Sequence, residues 1–272
     1  MIAFPHAKIN IGLNILSKRM DGYHNLQTIF YPVALNDALE IIDGNEQETG
    51  IEFTCTGLPV NGNINDNLCV TAYELLRKDF PQITAIKGHL HKIIPMGAGM
   101  GGGSADAAFM LRLLNNKFQL NLSIDQLIDY ALQLGSDCPF FILNKACFAT
   151  GRGEIMQPVN IDLRSYNILI VNPGIHVNTA SAFSQITPGE NSTELQSLIM
   201  HQITTWKHSI SNDFEKPVFA KYPEIAEIKN NLYDAGAIYA SMSGSGSTVY
   251  GIFSGTEKPA INFPAHYFCH WV

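Results

Sequence analysis

Between Pro95 and Ala108 the chain reads PMGAGMGGGSADAA, with glycine at five of the seven positions 97–103. Glycine admits positive φ and lets a ligand come close to the main chain. The strand predicted over 86–95 runs directly into this loop and the helix predicted over 104–116 directly out of it. Successive amides in such a turn, with the half positive charge of a helix N-terminus, make a cradle for phosphate oxygens. Gly97, Gly99 and Gly102 satisfy GxGxxG, but the acidic residue that a dinucleotide fold needs on its second strand is missing. About twenty residues on lies only Asn121–Asp125, at a helix start. No lysine completes a Walker A motif, and neither HRD nor DFG occurs.

Other reactive types stand in less telling patterns. In AKINIGLNIL, Ala7, Ile9, Ile11, Leu13 and Ile15 share one strand face, and Lys8, Asn10, Gly12 and Asn14 the other. Lys8 and Asn10, near the strand start, suit a shared site; Asn14 reads as solvent-exposed. A turn at Asp21-Gly22 leads to Tyr23 and His24, an aromatic and an imidazole that suit either base recognition or ordinary loop packing. Asp137, in GSDCPFF, reads on spacing alone as a structural turn residue. His89 and His91 alternate on a strand without a third metal ligand and read as a surface pair. MSGSGS, residues 242–247, is a second glycine-rich turn, either a phosphate support or a hairpin loop.

These groups need a framework. Strands are predicted over 7–16, 86–95 and 166–172. The 86–95 strand carries His89, His91 and Lys92, which suits a central parallel position poorly. Helices are predicted from Asn65 or Asp66 to 79, over 104–116 with Ser104 as N-cap, over 123–134 with a Ser123/Gln126 capping box and Gly135 as stop, and from Pro223 to Asp234. AIYASM and TVYGIF form a hairpin around SGSGS. Residues 185–212 are polar with one weakly helical piece. Strands and helices mix without strict βαβ alternation, which predicts an α+β fold. QPVNIDLRSY, in the interval 155–165, is the expected boundary, giving domains 1–158 and 159–272.

Seventeen Lys and Arg against twenty-four Asp and Glu give a net charge of −7, which argues against a nucleic-acid binder. Five cysteines without CxxC spacing predict a reduced, cytoplasmic protein with neither disulfide framework nor zinc site. No signal-peptide pattern opens the chain, and no apolar run is long enough for a membrane span.

Together the motifs resemble the GHMP small-molecule kinases. PMGAGMGGGSADAA is similar to their second motif and MSGSGSTVYGIF to their third. AKINIGLNI, RMDGYHNLQT, DNL at 66–68, GSDCPFF, GRGE at 151–154, NPGIHVNTASAF and SNDFE resemble, in order, the branch that acts on 4-diphosphocytidyl-2-C-methyl-D-erythritol. The resemblance covers nearly the whole chain. It implies an N-terminal domain like ribosomal protein S5 and a ferredoxin-like C-terminal domain, with the active site between them. It implies ATP-dependent phosphorylation of the substrate's 2-hydroxyl in the non-mevalonate isoprenoid route.

Carried over by position, Lys8 and Asp137 match the catalytic pair: Asp137 accepts the hydroxyl proton while Lys8 lowers its pKa and steers the hydroxyl. Pro95, Met96, Gly97, Ala98, Gly99, Met100, Gly101, Gly102, Gly103, Ser104 and Ala105 wrap the ATP phosphates, and Asn67 and Leu68 fall at the adenine. Tyr23, His24 and Phe183 match the cytidine pocket, two rings sandwiching the base while His24 reads its edge. Asn10 and Phe30 match the methylerythritol and diphosphate region. Ala105 replaces a frequent second serine, which takes that hydroxyl out of phosphate or Mg²⁺ binding; Ala98 and Met100 depart from the commonest loop but leave its glycines intact. Mg²⁺ is expected with the ATP, with no metal ligand assigned, and no nucleic acid, membrane or obligate protein partner is expected. Competing readings are a kinase for homoserine or mevalonate, a nucleotide-binding regulatory module without catalysis, and an NAD-dependent oxidoreductase. DGYH with Phe183, the Lys8–Asp137 pair, and the missing acidic residue weigh against these in turn.

Overall fold

The computed structural model describes residues 1–45, 49–60, 62–189 and 195–272. In chain order the elements are β1 (Ile2–Ala3), β2 (His6–Lys18), β3 (His24–Asn36), β4 (Ala38–Asp43), β5 (Ile51–Gly57), α1 (Leu68–Asp79), β6 (Ile86–Lys92), α2 (Gly102–Lys117), α3 (Ile124–Leu134) and α4 (Cys138–Leu143). Then follow β7 (Cys147–Thr150), β8 (Ile155–Pro158), β9 (Asn167–Asn172), α5 (Thr179–Ser184), α6 (Leu195–Leu198), α7 (Trp206–Ser209), α8 (Glu215–Lys221), α9 (Pro223–Asp234), β10 (Tyr239–Met242), β11 (Val249–Phe253) and β12 (Phe268–Trp271). The fold is α+β.

The chain forms two compact units: Met1–Ala7, Ala34–Met96 and Gly101–Lys145 in the first; Lys8–Val33, Gly97–Met100 and Ala146–Val272 in the second. This grouping interleaves the chain, unlike one break near 155–165, because β2 and β3 share a sheet with β7 and β8 across a long sequence separation.

In the first unit, strands run in the order β1-β4-β6-β5, and α2 packs on α1, α3 and α4. β6 lies inside this sheet, antiparallel to β4 and parallel to β5, despite its polar residues. Lys87, His89 and His91 share one face, where His89 bonds Thr54 and Thr56 and His91 bonds Thr56, while Lys92 falls on the buried face. These histidines are a hydrogen-bonded surface pair. β6 stops at Lys92, earlier than predicted, because the amides of Ile93 and Ile94 turn to the carboxylate of Asp37. The Ser123–Gln126 capping box and the Gly135 stop of α3 are both present. α1 begins at Leu68, capped by Asn67, after a short 3₁₀ turn over Ile64–Asp66. α2 begins at Gly102, before the predicted start, and Ser104 is not its cap: Gly101 holds that place with φ of 70° and no side-chain bond.

In the second unit, β2-β3-β7-β8 form one sheet and β10-β11-β9-β12 another. One core joins Leu13, Ile15 and Leu26 to Val171, Val249 and the Ile225, Ile228 and Leu232 face of α9. Burying each such side chain contributes about 1.5–3 kcal/mol. β10 and β11 pair antiparallel as the predicted hairpin. The polar face of β2 is the larger surprise: Lys8, Asn10 and Asn14 are all buried. Asn14, expected in solvent, donates to Asp213 at 3.2 Å and accepts from Gln27 at 3.4 Å. Alternation along a strand marks two faces; it does not say that the polar one is wet. Of the polar segment 185–212, residues 190–194 lie outside the described residues, and the remainder holds short helical turns rather than one helix.

Candidate active site

In the second unit, the centre of the glycine loop is held by the second glycine-rich turn. Ser243 Oγ donates to Gly99 O at 2.8 Å, and the amide of Thr248 donates to Ala98 O at 3.3 Å. Gly99 has φ of +79°, and a Cβ there would strike the Ser243 carbonyl, so no other residue fits. Asn212 fixes that turn, donating to Met242 O at 2.7 Å and Gly244 O at 2.8 Å.

The same turn reaches β2. The amide of Asn10 donates to Ser243 Oγ at 3.1 Å, and Lys8 donates its amide to Met100 O at 3.0 Å. Lys8 Nζ donates to Asn10 Oδ1 at 2.6 Å and stands 4.8 Å from the centre of the Phe30 ring. Asn10 in turn donates to Thr28 Oγ1 at 2.9 Å. Phe30 of β3 thus joins Lys8 and Asn10 of β2 around one buried ammonium.

In the first unit, Asn67, Leu68, Met96 and Gly103 line one cleft, open to solvent, at the start of α2. The amides of the first helical turn, Gly102 to Ser104, have no acceptor within the helix. Cys138, the first residue of α4, hydrogen-bonds Ser104, which ties the residue after Asp137 to this turn. Burial pushes the Cys138 thiol up to about 12, so it stays protonated. Asp137 immediately precedes α4 and makes no side-chain capping bond to it.

Below the loop lies a buried charged group that the sequence reading missed. Lys92 Nζ pairs with Asp37 and, at 2.7 Å, with Asp106 Oδ2. Asp37 Oδ1 also accepts the amides of Ile93 at 2.5 Å and Ile94 at 2.8 Å. The set thus clamps the strand end before the loop to the helix after it. Burial opposes the charge on Lys92, yet Asp106 and Asp37 outweigh it and hold its pKa above the usual lysine range. The one available signal was a lysine just before the glycines and an aspartate in the alanine-rich stretch just after them.

In the second unit again, His24 and Phe183 stack with centroids 4.8 Å apart and planes 14° apart. A base between two rings needs about 7 Å, two contacts of about 3.5 Å, so none fits between this pair as it stands. Phe214 meets Phe183 edge-on at 4.8 Å. Tyr23 is half-exposed and lies apart from that stack under the guanidinium of Arg152. Burial, then Lys18, lowers the His24 pKa, favouring the neutral imidazole.

Among the described residues, no group of three or more His, Cys, Asp or Glu side chains could hold a metal ion, and no helix is long and apolar enough to cross a membrane.

Comparison with known proteins defines the class. Residues 67–145 match the model for the GHMP kinases N-terminal domain, and residues 195–262 that for the GHMP kinases C-terminal domain. The glycine loop, the helix it opens and the hairpin turn that braces it are thus those of a GHMP kinase. A Bacteroides fragilis protein named 4-diphosphocytidyl-2-C-methyl-D-erythritol kinase is 52% identical, covering 95% of this chain and 94% of its own length. A Bacteroides thetaiotaomicron protein of the same name is 52% identical over 99% of this chain and 98% of its own. A crystal structure of 4-(cytidine 5'-diphospho)-2C-methyl-D-erythritol kinase superimposes with a TM-score of 0.80 at 30% identity, covering 93% of this chain and 90% of that one. The chain belongs to the 4-diphosphocytidyl-2-C-methyl-D-erythritol kinase family.

Proposed function

We propose that this enzyme transfers the γ-phosphoryl group of ATP to the 2-hydroxyl of 4-diphosphocytidyl-2-C-methyl-D-erythritol, releasing ADP and the 2-phosphate, in the non-mevalonate isoprenoid route. The observation that carries the nucleotide half of this reading is the cleft at the start of α2. It gathers Asn67 and Leu68 with Met96 and Gly103 of the glycine loop. The cleft takes the adenine, and the amides of residues 97–104 and the α2 N-terminus take the phosphates. The family names support the acceptor.

Phosphoryl transfer asks for positioning and charge neutralisation more than for covalent help. Asp137 accepts the proton of the attacking hydroxyl. Lys8, its ammonium oriented by Asn10 above Phe30, supplies positive charge and directs the hydroxyl. Tyr23, His24 and Phe183 take the cytosine, which requires the His24–Phe183 stack to open or the base to lie against Tyr23. Mg²⁺ enters with the nucleotide; it keeps several waters and binds substrate phosphates readily, so a dedicated cage of side chains is not needed.

The two family models fall on either side of residue 158, which supports 1–158 and 159–272 as the functional domains. The reaction belongs to the cytoplasm, and none of the five cysteines is in a disulfide. The test is ADP release with ATP and the cytidyl substrate, beside homoserine and mevalonate. Turnover confined to the cytidyl substrate supports the reading; preference for either control ends it.

A further inference from the structure

The GRGE segment at 151–154 carries no role in the proposal above, yet it is built against the loop that holds Tyr23. Two braced turns meet there. In the first, Asp21 accepts from Arg19 Nε at 3.0 Å and from the Tyr23 amide at 3.1 Å, and the Arg19 amide donates to Tyr23 O at 2.8 Å. The backbone on which Tyr23 sits is therefore closed on itself. In the second, the Arg152 amide donates to Glu154 Oε2 at 2.5 Å and Gly153 N to Thr150 O at 3.0 Å. Gly151 holds φ of +69°, and a Cβ there would come within 2.7 Å of the Glu154 carboxylate. The turn is pinned to β3 by Leu26 N donating to Gly151 O at 2.8 Å.

The product of this bracing is one contact: the Arg152 guanidinium carbon lies over the Tyr23 ring, 4.6 Å from its centre. Glu154 lies 3.8 Å from Arg152 Nε, and Asp21 feels its charge, so the cation is balanced at the rim. Tyr23 itself remains 54% exposed. A tyrosine so exposed ordinarily samples several rotamers; a planar cation on one face restricts it and leaves the other face for a flat ligand.

We infer that Arg152 is a positioning residue for pyrimidine recognition, holding the Tyr23 ring so that its opposite face stacks on the base of the cytidyl substrate. The inference rests on the proposed pyrimidine pocket and adds the residue that orders it.

A double-mutant cycle tests it, with Arg152→Ala, Tyr23→Ala, the double variant and Arg152→Lys. KM for the cytidyl substrate is read at saturating ATP, KM for ATP at saturating cytidyl substrate, and the melting temperature as a control on folding. Arg152→Ala should raise the cytidyl KM about three- to tenfold, with a smaller change in kcat and no change in KM for ATP or in melting temperature. Arg152→Lys should restore only part of the loss, since an ammonium lacks the planar face. In the Tyr23→Ala background the Arg152 change should have almost no further effect. An unchanged cytidyl KM, or the same factor in both backgrounds, overturns the inference while leaving the pocket standing. If Tyr23→Ala itself leaves the cytidyl KM unaltered, the pocket assignment falls and the inference with it.

Discussion

Ser243 Oγ and the carbonyl of Gly99 meet at 2.8 Å although 144 positions separate them in the chain. The same hydroxyl accepts the amide of Asn10. One serine therefore fixes the middle of the glycine loop relative to the strand that carries Lys8. The bond holds the loop centre in place, and under the proposed function such rigidity would let its backbone amides stabilise a developing charge without reorganising.

Gly99→Ala tests that relationship directly. The new methyl group meets the Ser243 carbonyl, and the residue must also keep a positive φ. KM for ATP should rise by about tenfold or more, with a melting temperature several degrees lower, as expected for a loss of about 1–3 kcal/mol. Titration of ATP by calorimetry checks it; wild-type affinity would show that the loop centre does not touch the phosphates.

Asp137→Asn keeps the shape of the side chain and removes its capacity to take a proton. Turnover should fall by about 10²–10⁴-fold while the dissociation constant for ATP stays within about threefold. Single-turnover kinetics beside nucleotide binding separates the two. Near-normal turnover would take Asp137 out of the proposed chemistry.

Lys92→Met should be severe for stability rather than for a single catalytic step. It leaves Asp37 and Asp106 facing one another in the interior without their cation. Removing one partner of a buried ion pair costs about 3–5 kcal/mol, or roughly 10 °C in melting temperature. A scanning-calorimetry trace that barely moves would show that the carboxylates are satisfied some other way.

The same group sets a pH dependence. Burial, against the pull of Lys92, pushes the Asp106 carboxyl up to about 7. Its pKa is higher folded than unfolded, so its protonation favours the folded state in acid. That contribution fades as pH rises through about 7. The melting temperature of the wild type relative to Asp106→Asn should therefore fall between pH 5 and 8. Parallel curves for the two proteins would contradict the shift.

His24 supplies a second pH test, this time of binding. Burial and Lys18 lower its pKa, so the neutral ring that can accept a hydrogen bond persists to a lower pH than for an ordinary histidine. KM for the cytidyl substrate should be flat from pH 7 to 8 and rise only below about 6.5. His24→Gln should abolish that rise. A midpoint above 6.5, or an unchanged profile in the variant, would remove His24 from base recognition.

Local patterns were enough to read the glycine loop, the caps of α3, the start of α9 and the β10–β11 hairpin, because each depends on neighbours a few residues away. Ser123, Gln126 and Gly135 act within one helix, so their meaning is written in their spacing. The α+β class and the family followed from the order of such motifs. The buried state of Asn10 and Asn14 was not legible, since it is made by Ser243 and Asp213, about two hundred residues later. Nor was the Lys92 group, whose members Asp37 and Asp106 lie on different elements. Arg152 over Tyr23 is of the same kind. Short-range hydrogen bonding and glycine's permissive backbone act before a chain folds back on itself. Burial, ion pairing and ring contacts between distant segments exist only once the folded core has excluded water and brought those segments together.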